Sequence, residues 1–359
     1  MAKGYTGQSG IEWSCVEKCR YVSTPRRSYA WFRHYSTAEK HMKVFVMDPI
    51  DPSAVELLST AHTVVDYPKS RSVDWHANAD AVVVRTFEVR ATDFLKARHL
   101  KIVAKHGTGV DNIDIAAANE AGVLVTNTPG ANANAVAEYA LALTLALARR
   151  VSVADRALRL RKQTQLGGGV ELGGKTVGLL GFGDIGRRTA RLFKAAFGSE
   201  LVVYDPYAPD SAFEVLGAVR ANSIPELLPV CDVVSLHLPL LAATKNLIGT
   251  PEFKLMRDSA LFINVARGGI VDEDALYRAL ADGEIAGAAS DVFETEPIPP
   301  SHPLLTLDNF VASPHIAASS QESLLRMGHA AAHAVLEALA GRTPPHQILS
   351  TPNAISATA

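Results

Sequence analysis

From residue 42 onward the chain alternates short apolar runs with stretches whose apolar positions recur at helical spacing. The runs at 43–47, 81–85, 101–105 and 123–127 are centred on Val, Ile and Ala and read as strands buried on both faces. Segments 52–60, with proline in its first turn, and 92–97 read as helices between them. The rhythm returns at 176–180, 201–204, 232–236, 260–265, 285–291 and 310–313, with helices expected at 184–197, 252–256 and 272–281. Strands alternating with helices predict parallel sheets covered on both sides, here two doubly wound, Rossmann-like α/β units. Any ligand then belongs at the carboxyl ends of the strands.

Three stretches depart from this rhythm. Residues 134–148 (ending AVAEYALALTLALA) are apolar nearly all round, so this helix is expected to be buried, between lobes or against a second subunit. A homodimer is the expectation that follows. Residues 162–174, rich in Gly and polar side chains, read as a linker. Residues 319–339 form one long amphipathic helix, and the tail from 343, with Pro344, Pro345 and Pro352, reads as loosely held.

The segment 175–205 concentrates the chemistry of the second half. Its first strand is followed by Gly181, Gly183 and Gly186 in G-x-G-x-x-G spacing and then by the 184–197 helix. The first glycine permits a tight turn, the second lets backbone approach a pyrophosphate, and the third lets helix and strand pack closely. The helix begins at that turn, so its free N–H groups and positive end face bound phosphate. The next strand ends at Asp205, about the ~20 residues on at which an acid binds a ribose 2′-OH and repels a 2′-phosphate. Strand, turn, helix, strand and acid in order point to a dinucleotide site, with NAD favoured over NADP.

Composition narrows the class. The 359 residues suffice for two domains, and a hydrophobic fraction of 48% is that of a protein with a substantial core. A net charge of −2 gives no electrostatic reason to expect nucleic acid or an anionic membrane as partner, and no run of apolar residues is long enough to span a bilayer. Cys15, Cys19 and Cys231 fit neither a disulfide framework nor a metal site, so a reducing, cytoplasmic setting is expected. Residues 1–41 stand apart, because Lys3, Lys18, Arg20, Arg26, Arg27, Arg33 and Lys40 outnumber Glu12, Glu17 and Glu39. They read as an extension outside the fold, or as sequence upstream of a start at Met42. The RHYS at 33–36 resembles a mitochondrial processing site, which makes the mitochondrial matrix the alternative location.

Three polar residues follow strands of the second half. Arg267 comes after the 260–265 strand, Glu296 after the 285–291 strand, and His315 after the 310–313 strand. Parallel strand ends converge, so the three can meet despite their separation in sequence. Histidine is the side chain best able to exchange a proton near neutral pH. A carboxylate beside it favours its protonated form, and an arginine can hold a substrate carboxylate and polarise the neighbouring carbonyl. Taken singly, each has an ordinary reading as a loop cap, a turn acid or a loop histidine.

Seven stretches resemble the D-isomer-specific 2-hydroxyacid dehydrogenases: HGTGVDNID (106–114), TNTPGANANAVAEYAL (126–141), VGLLGFGDIGRR (177–188), HLPL (237–240), NVARGGIVDE (264–273), SDVFETEP (290–297) and SPHIAASS (313–320). The resemblance implies hydride transfer between NAD and a 2-hydroxy acid, with His315 as acid/base, Glu296 as its partner and Arg267 on the substrate. It implies a substrate domain built from 42–144 and 318–345 around an NAD domain at 145–317, with 346–359 as a tail. Thr108, Asp184, Ile185, Asp205, Leu238, Val265, Ala266 and Asp291 would contact NAD, Asp291 through the nicotinamide carboxamide. Backbone N–H groups of Gly107, Thr108 and Gly109 would hold the substrate carboxylate.

Within the family, AVVVRTFEV (81–89) and GTGVDNID resemble the D-3-phosphoglycerate dehydrogenase branch, with Arg85 and Lys105 as candidates for a distal phosphate. Lys105 stands where arginine is common there, which removes bidentate binding. The resemblance implies a short form without regulatory domains. A glyoxylate or hydroxypyruvate reductase would use the same machinery on a smaller acid. A remoter reading is an NAD-sensing corepressor-like protein that works by binding partners. Formate dehydrogenase-like chemistry is disfavoured by the Glu296 and His315 pair.

Overall fold

The computed structural model describes residues 41–161 and 167–349. The first strands are β1 (Lys43–Val46), β2 (Thr63–Val65), β3 (Ala81–Val84), β4 (Ile102–Lys105) and β5 (Leu124–Thr126), all parallel, in the order β2-β1-β3-β4-β5. Helices α1 (Pro52–Ser59), α2 (Ala91–Lys96) and α3 (Ile115–Glu120) join them. The two-residue period of a strand sorts its side chains between faces. Val44, Val46, Ala81, Val83, Ile102 and Ala104 pack on one side with Ala331, Val335 and Leu339 of α11 (Gln321–Leu339). Phe45, Met47, Val82, Val84 and Val103 pack on the other with Trp75, Phe94 and Ile113. Both faces are therefore covered, as the apolar runs require.

The second sheet has seven parallel strands in the order β12-β11-β10-β9-β6-β7-β8. They are β6 (Thr176–Leu180), β7 (Glu200–Tyr204), β8 (Val219–Arg220), β9 (Val233–Leu236), β10 (Leu261–Asn264), β11 (Gly287–Ser290) and β12 (Phe310–Ala312). The helices α6 (Asp184–Phe197), α7 (Asp210–Leu216), α8 (Ile224–Leu227), α9 (Thr250–Leu255) and α10 (Glu273–Ala281) connect them. Strand order reverses at β6, which lies between β7 and β9, so the crevice for a ligand opens at the carboxyl ends of β6 and β9. Both expected sheets are present.

The packing departs from expectation in three places. Helix α4 (Ala133–Ala148) packs on α6 and on β10, β11 and β12, so chain that was expected in the first unit up to residue 144 already lies on the second sheet from Ala133. Its burial is largely satisfied within the chain and by itself requires no second subunit. The tail is tied down as far as residue 348: the Asn127 N–H donates to the His346 carbonyl at 3.3 Å, and the Ile348 N–H to that of Val125 at 2.7 Å. Unpaired groups on the β5 edge explain this, since an edge strand recruits whatever backbone reaches it. A further helix, α5 (Val151–Arg159), precedes the glycine-rich stretch. The expected extension at 1–41 falls almost wholly outside the described residues, as do 162–166 of the linker and the end of the tail.

Candidate active site

The glycine turn has the backbone demands its spacing implies. Gly181 sits at φ +97°, and a Cβ there would come within 2.5 Å of the His237 carbonyl oxygen. A Cβ on Gly186 would lie 2.3 Å from the Gly181 carbonyl oxygen, so only glycine lets α6 cross β6 this closely. Gly183 is different, for a Cβ there would meet no atom within 4 Å. It is the exposed crest of the turn, and no side chain caps α6 behind it. This cradle of backbone donors at a helix start fits a dinucleotide pyrophosphate. Asp184 holds Arg188 at 3.2 Å, Ile185 is half-buried, and Leu238 lies beside Gly181.

Asp205 does two things at the end of β7. One carboxylate oxygen accepts the Phe182 N–H at 2.7 Å and so ties the glycine turn to β7; the other accepts the N–H groups of Tyr207 and Ala208 at 2.8 and 3.1 Å. Its charge therefore stands where the ribose is expected, within a turn that it also builds. Arg220, stacked 3.8 Å from the Phe213 ring centre, donates to the carbonyls of Asp205 and Ala208 and to Asp210. That contact fixes the 205–208 loop from below.

Two of the three strand-end residues, His315 and Glu296, bond directly, and the charge of Arg267 reaches Glu296. Nδ1 of His315 lies 2.7 Å from Oε2 of Glu296, whose Oε1 accepts the Phe293 N–H at 2.9 Å. Burial opposes ionisation of Glu296, but the bonds from His315 and Phe293 and the charges of His315 and Arg267 leave its pKa below the ordinary range. Arg267 follows β10. Its Nη1 donates to the Ala266 carbonyl at 2.7 Å and its Nε to Oδ2 of Asp111 at 2.9 Å. Val265 and Ala266 are buried, and the Asn264 amide braces this turn by donating to the Arg267 carbonyl at 3.0 Å.

His315 adopts φ 54°, a left-handed conformation uncommon for a side chain of its size. Asp291 supplies what holds it. The Asp291 carbonyl accepts the His315 N–H at 2.7 Å. Its carboxylate accepts the Ser313 hydroxyl at 2.6 Å and the N–H groups of Ile316 and Ala317 at 2.9 and 2.8 Å. The group expected on the nicotinamide carboxamide is thus extensively engaged by its own chain. Burial holds its pKa above the ordinary range despite those donors.

On the first sheet, the 107–109 loop faces Arg267, but not all of its amides are free for a substrate. Gly107, at φ +146°, donates its N–H to the Thr128 hydroxyl at 3.1 Å, so of the three amides expected on a carboxylate this one already has a partner within the chain. Thr108 is fixed by Asn132 and Asn127. Lys105 donates to the Arg85 carbonyl at 2.6 Å and to the Asn112 side chain, and burial pushes its pKa down to about 8. Arg85 donates to the Ser319 hydroxyl at 2.6 Å. Asp48, which sequence reasoning missed, accepts the N–H groups of Arg85, Thr86 and Phe87 and so shapes this loop. Asp111 was missed as well, although it lies inside a motif that was singled out.

The sequence model of the D-isomer specific 2-hydroxyacid dehydrogenase NAD-binding domain matches residues 141–317. The glyoxylate reductase of Aeropyrum pernix is 40% identical over 324 residues, 86% of this chain and 96% of that protein. The chain belongs to the D-isomer specific 2-hydroxyacid dehydrogenase family. The D-3-phosphoglycerate dehydrogenase of Methanocaldococcus jannaschii is 38% identical over 320 residues, and the chain spans 60% of that relative's length. Among solved structures of similar fold, the TT0316 protein from Thermus thermophilus superposes with a TM-score of 0.78 at 34% identity, covering 86% of this chain and 100% of that one. As in this family, NAD is the cofactor, and the glycine turn described above belongs to the matched region. Among the described residues no helix is long and apolar enough to cross a membrane.

Proposed function

We propose that this family member interconverts a D-2-hydroxy acid and its 2-keto acid with NAD as hydride acceptor or donor. The observation that carries the reading is the bonded His315 and Glu296 pair, with Arg267 within its field, on the same strand-end edge of the second sheet as the glycine turn. Bound nicotinamide supplies the two-electron chemistry; the chain supplies position and a proton. Glu296, ionised, accepts the proton of Nδ1, so Nε2 of a neutral His315 is the base that takes the hydroxyl proton in oxidation. In reduction the imidazolium returns that proton to the carbonyl oxygen while Glu296 stabilises its charge. Arg267 and the Thr108 and Gly109 amides hold the substrate carboxylate.

The lobes proposed are the first sheet with α11, and the second sheet with α4 and its connecting helices. Closure of one on the other excludes water and fixes the reacting distance. A homodimer through α4 and α5 is proposed because Val151, Leu158 and Leu160 are exposed at 55%, 80% and 58% beside Leu145. Unpaired, buried Cys231 is in keeping with a cytosolic setting.

For the substrate, Arg85, Lys105 and Arg267 support an acid with a distal anion such as 3-phosphoglycerate. The engagement of Arg85 by Ser319, and of Lys105 by Arg85 and Asn112, favours a second reading, a reductase of glyoxylate or hydroxypyruvate. Assay of 3-phosphohydroxypyruvate, hydroxypyruvate and glyoxylate with NADH separates the two by kcat/KM. Inactivity towards all 2-keto acids would sink the proposal.

A further inference from the structure

Arg267 enters the site from the second sheet, and its guanidinium is held by two oxygens from different parts of the chain. Nη1 bonds to the carbonyl of its neighbour Ala266, whereas Nε bonds at 2.9 Å to Oδ2 of Asp111, on the loop that follows β4. The remaining nitrogen, Nη2, lies against the Cα of Gly109. A Cβ built there would fall 1.7 Å from Nη2 and 2.8 Å from the Asp111 carboxylate. Gly109 is thus a glycine because this guanidinium and this carboxylate meet over it.

A planar guanidinium held at Nε and Nη1 can turn neither about its own axis nor out of the loop. We propose that Asp111 is a positioning residue for the reaction, holding Arg267 so that Nη2 is aimed across Gly109 at the substrate carboxylate. The inference rests on the reading of Arg267 given above. Two further contacts support it. The neighbouring Asn112 is fixed by Lys105 and by donating to the Phe87 carbonyl at 2.6 Å, so the loop that carries Asp111 is itself braced. The pair also joins residues 156 positions apart, linking the two sheets at the reacting end.

The sign of the expected effect separates this role from the alternatives. If Asp111 acted only through its charge, removing that anion would strengthen binding of an anionic substrate. The same direction holds if its carboxylate competes with the substrate for Arg267. If it positions Arg267, neutralising it weakens binding, since a neutral amide oxygen holds the guanidinium less firmly than a carboxylate does. The side chain of Asp111 is 55% exposed, so an isosteric amide disturbs no packing.

The test compares Asp111→Asn, Asp111→Glu, Arg267→Ala and the double variant Asp111→Asn with Arg267→Ala, on whichever keto acid the panel selects. Asp111→Asn is expected to raise KM for the keto acid roughly tenfold to a hundredfold, as for loss of a charge-assisted hydrogen bond, while the dissociation constant for NADH, read by fluorescence, stays at the wild-type value. Asp111→Glu is expected to restore part of the loss. In the Arg267→Ala background, Asp111→Asn is expected to add nothing. A lowered or unchanged KM in Asp111→Asn, or an equal loss in both backgrounds, overturns the inference while the dehydrogenase reading stands. Full activity in Arg267→Ala removes that reading and the inference with it.

Discussion

Glu296 stands 2.7 Å from Nδ1 of His315 and leaves Nε2 as the nitrogen that can exchange a proton with substrate. Replacing His315 by Ala removes the proton partner, and general acid–base catalysis is worth roughly 10²–10⁴-fold. Turnover is expected to fall by that factor with NADH affinity unchanged. Glu296→Gln keeps the shape but loses the charge, and its turnover is expected to lie between the two. Steady-state kinetics on purified variants check this, and a His315→Ala enzyme with wild-type kcat would end the assignment.

Asp205 holds Phe182, Tyr207 and Ala208, and as the proposed ribose ligand its carboxylate would also repel a 2′-phosphate, coupling cofactor choice to the shape of the turn. Asp205→Asn removes the charge and keeps an acceptor on one side of the turn only, for Phe182 or for Tyr207 and Ala208. NAD preference over NADP, measured as the ratio of kcat/KM values, is expected to drop roughly tenfold or more, as for loss of one charged contact. An unchanged ratio would mean that another group selects the cofactor.

Lys105 titrates within reach of ordinary assay conditions. Burial, and then the charge of Arg267, bring its pKa down to about 8, so it is cationic below that pH and neutral above it. If the physiological acid bears a second anion, kcat/KM for it falls as pH rises through 8, while a substrate without that anion shows no such limb. Lys105→Arg stays charged throughout and is expected to remove the limb. A pH profile shared by both substrate types would exclude Lys105 from contact with the distal group.

What could be read in the chain was whatever the local backbone dictates. The turn was legible at Gly181 and Gly186 because each answers a separate steric demand, whereas Gly183 answers none within the chain itself, and the placing of Arg267, Glu296 and His315 after successive strands was legible because parallel strands deliver their following residues to one edge. Short elements carried too little periodicity to be seen: β8 is two residues long with Val219 exposed, and α5 starts from Arg150 in a left-handed conformation. Asp48 and Asp111 were missed for a different reason. Each acts on a loop or a residue far along the chain, and an acid carries no mark of which distant N–H group it will meet. The pairing of 346–348 with β5 was hidden in the same way, since prolines flanking a polar tail say nothing about an edge strand waiting for it.

His106 yields a prediction about stability. It is 1% exposed, with Nε2 3.2 Å from the Leu324 carbonyl and Nδ1 without a hydrogen-bond partner among the described residues. Burial first, and the charge of Arg85 after it, push its pKa down from 6.5 to about 4. Between those values the unfolded chain binds a proton that the folded chain refuses, so stability falls as the solution is acidified from 6.5 towards 4 and is fully retained above 6.5. At 1.36 kcal/mol per unit the loss comes to about 3 kcal/mol. His237, with its pKa pushed by burial to about 3, adds a similar burden over a wider range. His106→Gln cannot be protonated, so its urea unfolding free energy is expected to decline less steeply than the wild type's between pH 6.5 and 4, even if it starts lower at about pH 7 through imperfect packing. Parallel curves for the two proteins would show that His106 carries its proton in the folded state after all.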